Sequence, residues 1–291
     1  MRRLLETALV ALIVVCAAHF LLLNETKNTG VVKESVLERV TRTKKLKCAY
    51  WLWPDLVERD PNSGAMNGPI VDIIKKVAED LNAEVQWTAE ASIDSYVTLL
   101  NSGKVDAVCG PLTPGPFLRA HAHFVAPVFY SSSDVYVQFG EKKFESSRED
   151  MNVPEVSFLS LDGAATKYFA MTFFPKAKHN ALPAVVGAGQ PLLDVQSGKA
   201  DATISEQLVA ARFLERNPNS LMRLRWNDKP LITLGVTPFA TKFDDVIWAN
   251  TLDNIIKDLL DFGEVEKILS EHGLVAGVHY SPIASPYQIQ P

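Results

Sequence analysis

Arg119 and Glu206 are the two residues of this chain best placed to do recognition chemistry, because each follows one copy of a repeated hexapeptide. Ser102-Gly103-Lys104-Val105-Asp106-Ala107 returns as Ser197-Gly198-Lys199-Ala200-Asp201-Ala202, with one exchange, Val105 for Ala200. Gly110, Thr113 and Arg119 lie beyond the first copy; Ser205 and Glu206 lie beyond the second. A guanidinium fork meets a carboxylate with two parallel hydrogen bonds, and a carboxylate side chain pairs with an ammonium group. If the two copies belong to two facing halves, a cationic edge meets an anionic edge across a cleft. A small molecule carrying both a carboxylate and an amine fits between them. The plainer alternative is a common helix-to-strand connection, with Lys and Asp solvated on the turn, Arg119 on the surface and Glu206 a solvated acid at a helix start.

The elements that must hold these residues follow from hydrophobic spacing. Val97, Leu99 and Leu100 suit a helix, Ser102-Gly103 a helix stop, and residues 105–109 a short buried strand. The unit is therefore helix, glycine turn, strand and loop, and ligands of open α/β sheets sit beyond the carboxyl ends of the strands. Upstream, residues 36, 37 and 40 suggest a short amphipathic helix without an obvious cap, and residues 46–51 read as a first strand. Turn residues fill 60–64, and Gly68-Pro69 opens a helix carrying Ile70, Ile73, Ile74, Val77 and Leu81 on one face. A strand at 84–88 completes an alternation that predicts a parallel sheet.

The second copy sits in a similar run. Strand 155–161, a tight turn at 162–166, a helix from Lys167, strand 182–186, helix 191–196, strand 200–204 and helix 207–216 are expected. Residues 124–130 and 133–139 read as two strands, with Ser131 to Asp134 forming the crossing between halves. Residues 142–154 read as a charged surface connection without apolar period. A strand at 231–236 leads back, helices at 246–260 and 265–272 close the fold, and residues 274–291 form an irregular strap or a disordered end. The expected architecture is α/β with two lobes, each a mostly parallel sheet flanked by helices. Lobe 1 takes residues 46–133 plus 236–273, lobe 2 takes 134–235, and 24–45 hold a linker and the short helix.

Composition narrows the partners. With 291 residues, 47% of them hydrophobic and 22% charged, the chain is globular and long enough for two medium domains. A net charge of -5, with no basic run longer than Arg42 to Lys47, argues against nucleic acid as a partner. Residues 4–23 are almost entirely apolar behind Arg2 and Arg3, the length of about 20 residues that a membrane-spanning helix takes. This reads as an export signal or signal anchor that places the rest of the chain outside the cytoplasm. The apolar run continues past the small residues Ala17 and Ala18, which favours an uncleaved anchor over a released signal peptide. Cys48 and Cys109 then remain in the exported part, where a disulfide is permitted; two buried free thiols are the equal alternative. His121-x-His123 lacks further ligands at zinc spacing, and no phosphate loop, dinucleotide fingerprint or nucleophile elbow occurs, so neither metal nor cofactor is expected.

Residues 33–273 resemble the extracellular solute-binding proteins of family 3, the amino-acid-binding components of ABC importers with the type II periplasmic-binding fold. The resemblance is carried by Ser35 to Val40 running into Lys45-Leu46-Lys47, the 60–72 stretch ending Gly-Pro-Ile-Val-Asp, both hexapeptide copies, and Arg119 ahead of Phe124 and Pro127. It implies that Gly110, Thr113 and Arg119 take a ligand carboxylate, although Pro114, Gly115 and Pro116 replace the usual polar turn. Glu206 stands where the family has an Asp for the ligand amine. Gly163-Ala164-Ala165-Thr166 matches the second carboxylate-binding turn without its adjacent hydroxyls, leaving Thr166 and helix-start N–H groups. Trp51 and Trp53 are candidates for an aromatic lid, or equally for core residues. The implied protein is a periplasmic monomer that closes on a small solute by a hinge, serves ABC permease subunits, and is tied to the inner membrane by its first helix. The same fold hosts cyclohexadienyl dehydratases with an acidic proton donor, a part open to Glu206. A ligand-sensing ectodomain is a third reading.

Overall fold

Ser35 starts the first helix, α1 (Val36–Thr43), through a capping box absent from the reading above. Its hydroxyl accepts the Glu38 N–H at 3.2 Å, and the Glu38 carboxylate accepts the Ser35 N–H at 2.9 Å. In the computed structural model, residues 34–91, 95–114 and 116–283 are described. The expected signal anchor and the end of the tail lie outside them. Among the described residues no helix is long and apolar enough to cross a membrane.

Lobe 1 begins with β1 (Lys45–Tyr50), a small hairpin of β2 (Glu58–Arg59) and β3 (Met66–Asn67), α2 (Pro69–Asp80), β4 (Glu84–Glu90), α3 (Tyr96–Asn101) and β5 (Ala107–Leu112). Strand β1 lies parallel to β4 on one side and β5 on the other. Helix α2 buries the predicted Ile70, Ile73, Ile74 and Val77. A one-turn helix α4 (Pro116–Arg119) and β6 (Ala122–Phe124) precede β7 (Phe129–Gln138). Lobe 2 follows with β8 (Ser157–Leu161), α5 (Ala165–Phe173), β9 (Lys178–Leu182), α6 (Gln190–Gln196), β10 (Ala202–Glu206), α7 (Gln207–Arg216) and β11 (Leu221–Leu224). Here β8 lies parallel to both β9 and β10, repeating the arrangement around β1. The chain returns through β12 (Ile232–Lys242) and ends with α8 (Val246–Asp261) and α9 (Glu264–Glu271).

The hexapeptide repeat has a structural meaning that corrects the solvated-turn alternative for its aspartates. In the first copy the Asp106 carboxylate accepts the Lys47 N–H of β1 at 2.7 Å and pairs with Arg39. In the second, the Asp201 carboxylate accepts the Ser157 N–H of β8 at 2.8 Å and the Ser157 hydroxyl at 2.6 Å. Each Asp thus ties the turn to the start of the neighbouring parallel strand. Both strands therefore begin two residues later than apolar spacing suggested, at Ala107 and Ala202. Gly110 consequently lies inside β5, and Ser205 and Glu206 lie inside β10.

Other departures share a cause, namely pairing and packing with distant residues. Ser131 to Asp134 lie within one continuous strand, β7, because β12 pairs with 129–133 and β10 with 133–137. The 142–154 connection is not wholly surface, since Phe144 and Met151 plug the apolar layer under α5. Strand β9 ends at Leu182, where the expected strand 182–186 would begin, and residues 184–186 form a single tight turn instead; β11, of only four residues, was not anticipated.

Strand direction builds the cleft. The hydrogen-bonded order is β4-β1-β5-β12-β7-β10-β8-β9, continuous through the two crossing strands. Strand β7 leaves lobe 1 for lobe 2 and β12 returns, and the two pair with each other only at the crossing, from Val236↔Phe129 to Ile232↔Ser133. Strand β5 is antiparallel to β12, so its carboxyl end, Leu112 opposite Thr237, points at the crossing. Strand β10 is antiparallel to β7, so its end, Glu206 opposite Ser133, points at the crossing from the other side. The carboxyl ends of the parallel strands in both lobes therefore face one another.

Candidate functional site

Glu206 is the last residue of β10 and the N-cap of α7, half-buried, and its side chain makes no capping bond. Among the described residues no cation or hydrogen-bond donor answers its carboxylate, and burial pushes its pKa up to about 7. An uncompensated acid beside the crossing is suited, when ionised, to pair with an ammonium group and, when protonated, to donate its proton.

On the facing side the loop after β1 is laid over the end of β5. The Trp51 N–H donates to the Cys109 carbonyl at 3.3 Å. A Cβ on Gly110 would come within 3.1 Å of the Trp51 Cβ and 3.3 Å of its carbonyl oxygen, so any side chain there would push the Trp51 loop off the end of β5 by a few tenths of an ångström. Trp51 is half-buried against the Val108 and Leu112 cluster, while Trp53 packs against the main lobe 1 core. The Trp53 N–H donates to the Val57 carbonyl at 2.8 Å. Both indoles thus have one side committed to packing.

Thr113 stands just beyond β5 and is half-buried. Arg119 ends α4 and is exposed, its Nε donating to the Pro114 carbonyl at 3.2 Å. That bond folds the guanidinium back on its own loop. Thr166 is half-buried in the first turn of α5, whose N-cap, Ala164, supplies no side-chain cap. First-turn N–H groups with no capping side chain suit an anion. Gly110 thus lies two residues before the end of β5, Thr113 and Arg119 follow β5, Trp51 and Trp53 follow β1, Thr166 follows β8, and Glu206 ends β10. These are the four strand ends that face the crossing.

Cys48 and Cys109 form a disulfide that joins β1 to β5, with Cα atoms 5.5 Å apart. It lies immediately before Gly110 and the Trp51 contact, and so holds the two strands whose ends carry these residues.

Several positioning groups escaped the sequence reading. The Arg225 Nε and Nη2 bind Asp134, which is 1% exposed, at 3.0 and 2.7 Å, fixing β7 where it leaves the crossing for lobe 2. The available signal was a lone Asp in an apolar strand, which needs a partner when buried. Ser132 donates its hydroxyl to the Gln207 Oε1 at 3.1 Å, tying the crossing to the residue after Glu206. A separate polar cavity of about 640 Å³ lies between residues 145–149 and 225–231; none of the predicted ligand residues lines it.

Comparison with known proteins agrees with this fold. A model of bacterial extracellular solute-binding proteins, family 3, matches residues 54–274. A "Probable amino-acid ABC transporter-binding protein" of Haemophilus influenzae is 25% identical over 206 residues, 68% of this chain and 76% of that protein. Among solved structures, an ancestral amino-acid-binding protein described as a precursor of cyclohexadienyl dehydratase superposes with a TM-score of 0.67 at 22% identity, covering 81% of this chain and 98% of the other. A binding component of an ABC transporter from Wolinella succinogenes, described as putative and complexed with lysine, gives 0.66 at 20% identity over 78% and 95%.

Proposed function

Since the chain belongs to the bacterial extracellular solute-binding proteins of family 3, we propose that it traps an amino acid or a related carboxylate between its lobes and delivers it to ABC permease subunits. The observation that carries this reading is the opposed strand ends, with an unpaired carboxylate, Glu206, at one and Thr113 and Arg119 beyond the other. In this reading Glu206 takes the ligand ammonium, while Arg119, the Thr113 hydroxyl and the Gly110 backbone take its carboxylate. The first turn of α5 with Thr166 supplies further donors, and Trp51 and Trp53 wall the ligand side chain. Arg119 leaves the Pro114 carbonyl to engage, which a closing hinge permits. The lysine complex of the Wolinella succinogenes protein supports an amino acid as the cargo. The protein works as a monomer on the periplasmic side, held at the inner membrane by residues 4–23.

Calorimetric titration of the purified protein with amino acids and dicarboxylates tests this. For whichever solute binds, Arg119→Ala and Glu206→Gln are each expected to weaken affinity by about a hundredfold, the loss that follows when one partner of a desolvated charge pair is removed. Unchanged affinity in either variant removes that residue from the site.

One observation favours a second reading. A carboxyl titrating near 7 without a cation is matched to donating a proton at neutral pH, and a structural neighbour is described as a dehydratase precursor. Turnover of prephenate or arogenate by the pure protein, abolished by Glu206→Gln, would favour this dehydratase reading.

A further inference from the structure

Helix α7 leads away from Glu206 and crosses the boundary between the lobes. Leu208 is 6% exposed and belongs to one apolar cluster with Val57, Phe129, Leu274 and Tyr280, all outside lobe 2. Arg212 and Glu215 follow on the same face, four and seven residues on. The Arg212 Nε lies 3.4 Å from the Asp55 Oδ1, in the loop that carries Trp53. Its Nη1 donates to the Glu215 Oε2 at 3.1 Å. The Glu215 Oε1 in turn faces the His279 Nε2 at 3.0 Å.

His279 is 4% exposed, and its Nδ1 accepts the Val275 N–H at 2.9 Å, so its ring proton sits on Nε2 and points at Glu215. His279 belongs to a strap, residues 274–281, whose Ser281 pairs with Tyr130 of β7. Gln207 adds a second tie, donating from Nε2 to the Gly277 carbonyl at 3.1 Å. One lobe 2 helix is therefore bound both to the aromatic loop of lobe 1 and to the strap.

The Arg212 Nε is buried yet makes no hydrogen bond. A buried guanidinium N–H without an acceptor is costly, and the Asp55 oxygen 3.4 Å away pairs with it by charge without a well-formed hydrogen bond. A slight further approach of the loop turns a loose ion pair into a charge-assisted hydrogen bond.

We propose that Asp55 and Arg212 form an interlobe clasp, braced by Glu215 and His279, that tightens as the cleft closes and sets how long a captured solute is held. The clasp joins the loop bearing Trp51 and Trp53 to the helix that begins at Glu206, so both act as positioning residues. The inference deepens the hinge-closure reading given above and rests on it for its ligand readout.

Its test uses Asp55→Asn, Arg212→Met, the double variant and Arg212→Lys in the otherwise intact protein. Solution X-ray scattering of the ligand-free protein is expected to show a larger radius of gyration in both single variants, no further increase in the double variant, and partial recovery with Arg212→Lys. With L-lysine or L-arginine as titrant, dissociation is expected to quicken about tenfold at nearly unchanged association rate, since loss of a closing contact acts on the off-rate. Strictly additive effects of the two substitutions, or scattering identical to that of the parent, would overturn the clasp. Should neither amino acid bind the parent, the scattering comparison still decides the clasp while the ligand reading fails separately. Asp55→Asn keeps the side-chain size and serves as the deciding variant if Arg212→Met fails to fold.

Discussion

Glu206 is half-buried and, among the described residues, has no cation beside it, so its titration is open to test. Its carboxyl moves from an ordinary value of 4.5 up to about 7 on folding. Because the folded value is the higher one, the stability linked to the protonated form is fully present below pH 4.5 and is lost as pH rises through 7. Glu206→Gln removes that titration, so it should match the parent at pH 4 and exceed it at pH 8 by about 2 kcal/mol, a figure reduced from the full shift because the side chain keeps some contact with water. Urea unfolding at the two pH values measures this. An ammonium docking at Glu206 requires the ionised form, so ligand affinity should fall about tenfold per pH unit below 7. Equal affinity at pH 5.5 and 8 would place the amine elsewhere.

The two hexapeptide copies read alike in sequence and differ in what they bear. Asp106 is 5% exposed and answers both Arg39 and the Lys47 N–H. Asp201 is exposed and answers only Ser157. Asp106→Ala leaves a half-buried guanidinium and a strand N–H without partners, an expected loss of about 3 kcal/mol. Asp201→Ala should cost about 1 kcal/mol, because water replaces the carboxylate. Comparison of thermal unfolding in the two variants checks the asymmetry; equal losses would mean that the clamps carry equal weight. The repeat itself was legible as helix, turn and strand. That its Asp would reach across to the next strand was not, since Lys47 and Ser157 carry no local mark of being its partner.

The lobes are joined through β7 and β12, and lobe 1 must keep its shape for its strand ends to meet those of lobe 2. The Cys48–Cys109 bridge closes a loop of 61 residues around α2 and β4. Replacing both cysteines by alanine frees that loop in the unfolded chain and is expected to cost about 4 kcal/mol by chain entropy. Denaturant unfolding of the double variant beside the parent measures it, and an unchanged midpoint would assign the bridge no role in stability. The strap and α7 work at the same scale, because Leu208, Arg212 and Gln207 reach out of lobe 2 to contacts that neither lobe contains alone.

Read alone, the chain shows two matching α/β units, an alternation that demands parallel strands, and an Arg and a Glu placed just beyond the two repeats. Those features are legible because helix spacing, glycine turns and apolar runs are local. Only the tertiary structure decided that Gly110 lies within its strand and that Glu206 ends its own rather than following it, that Cys48 and Cys109 join, and that Asp55, Arg212 and His279 meet. Each depends on strand direction or on contacts between residues far apart in the chain, where no short-range period or spacing carries the information.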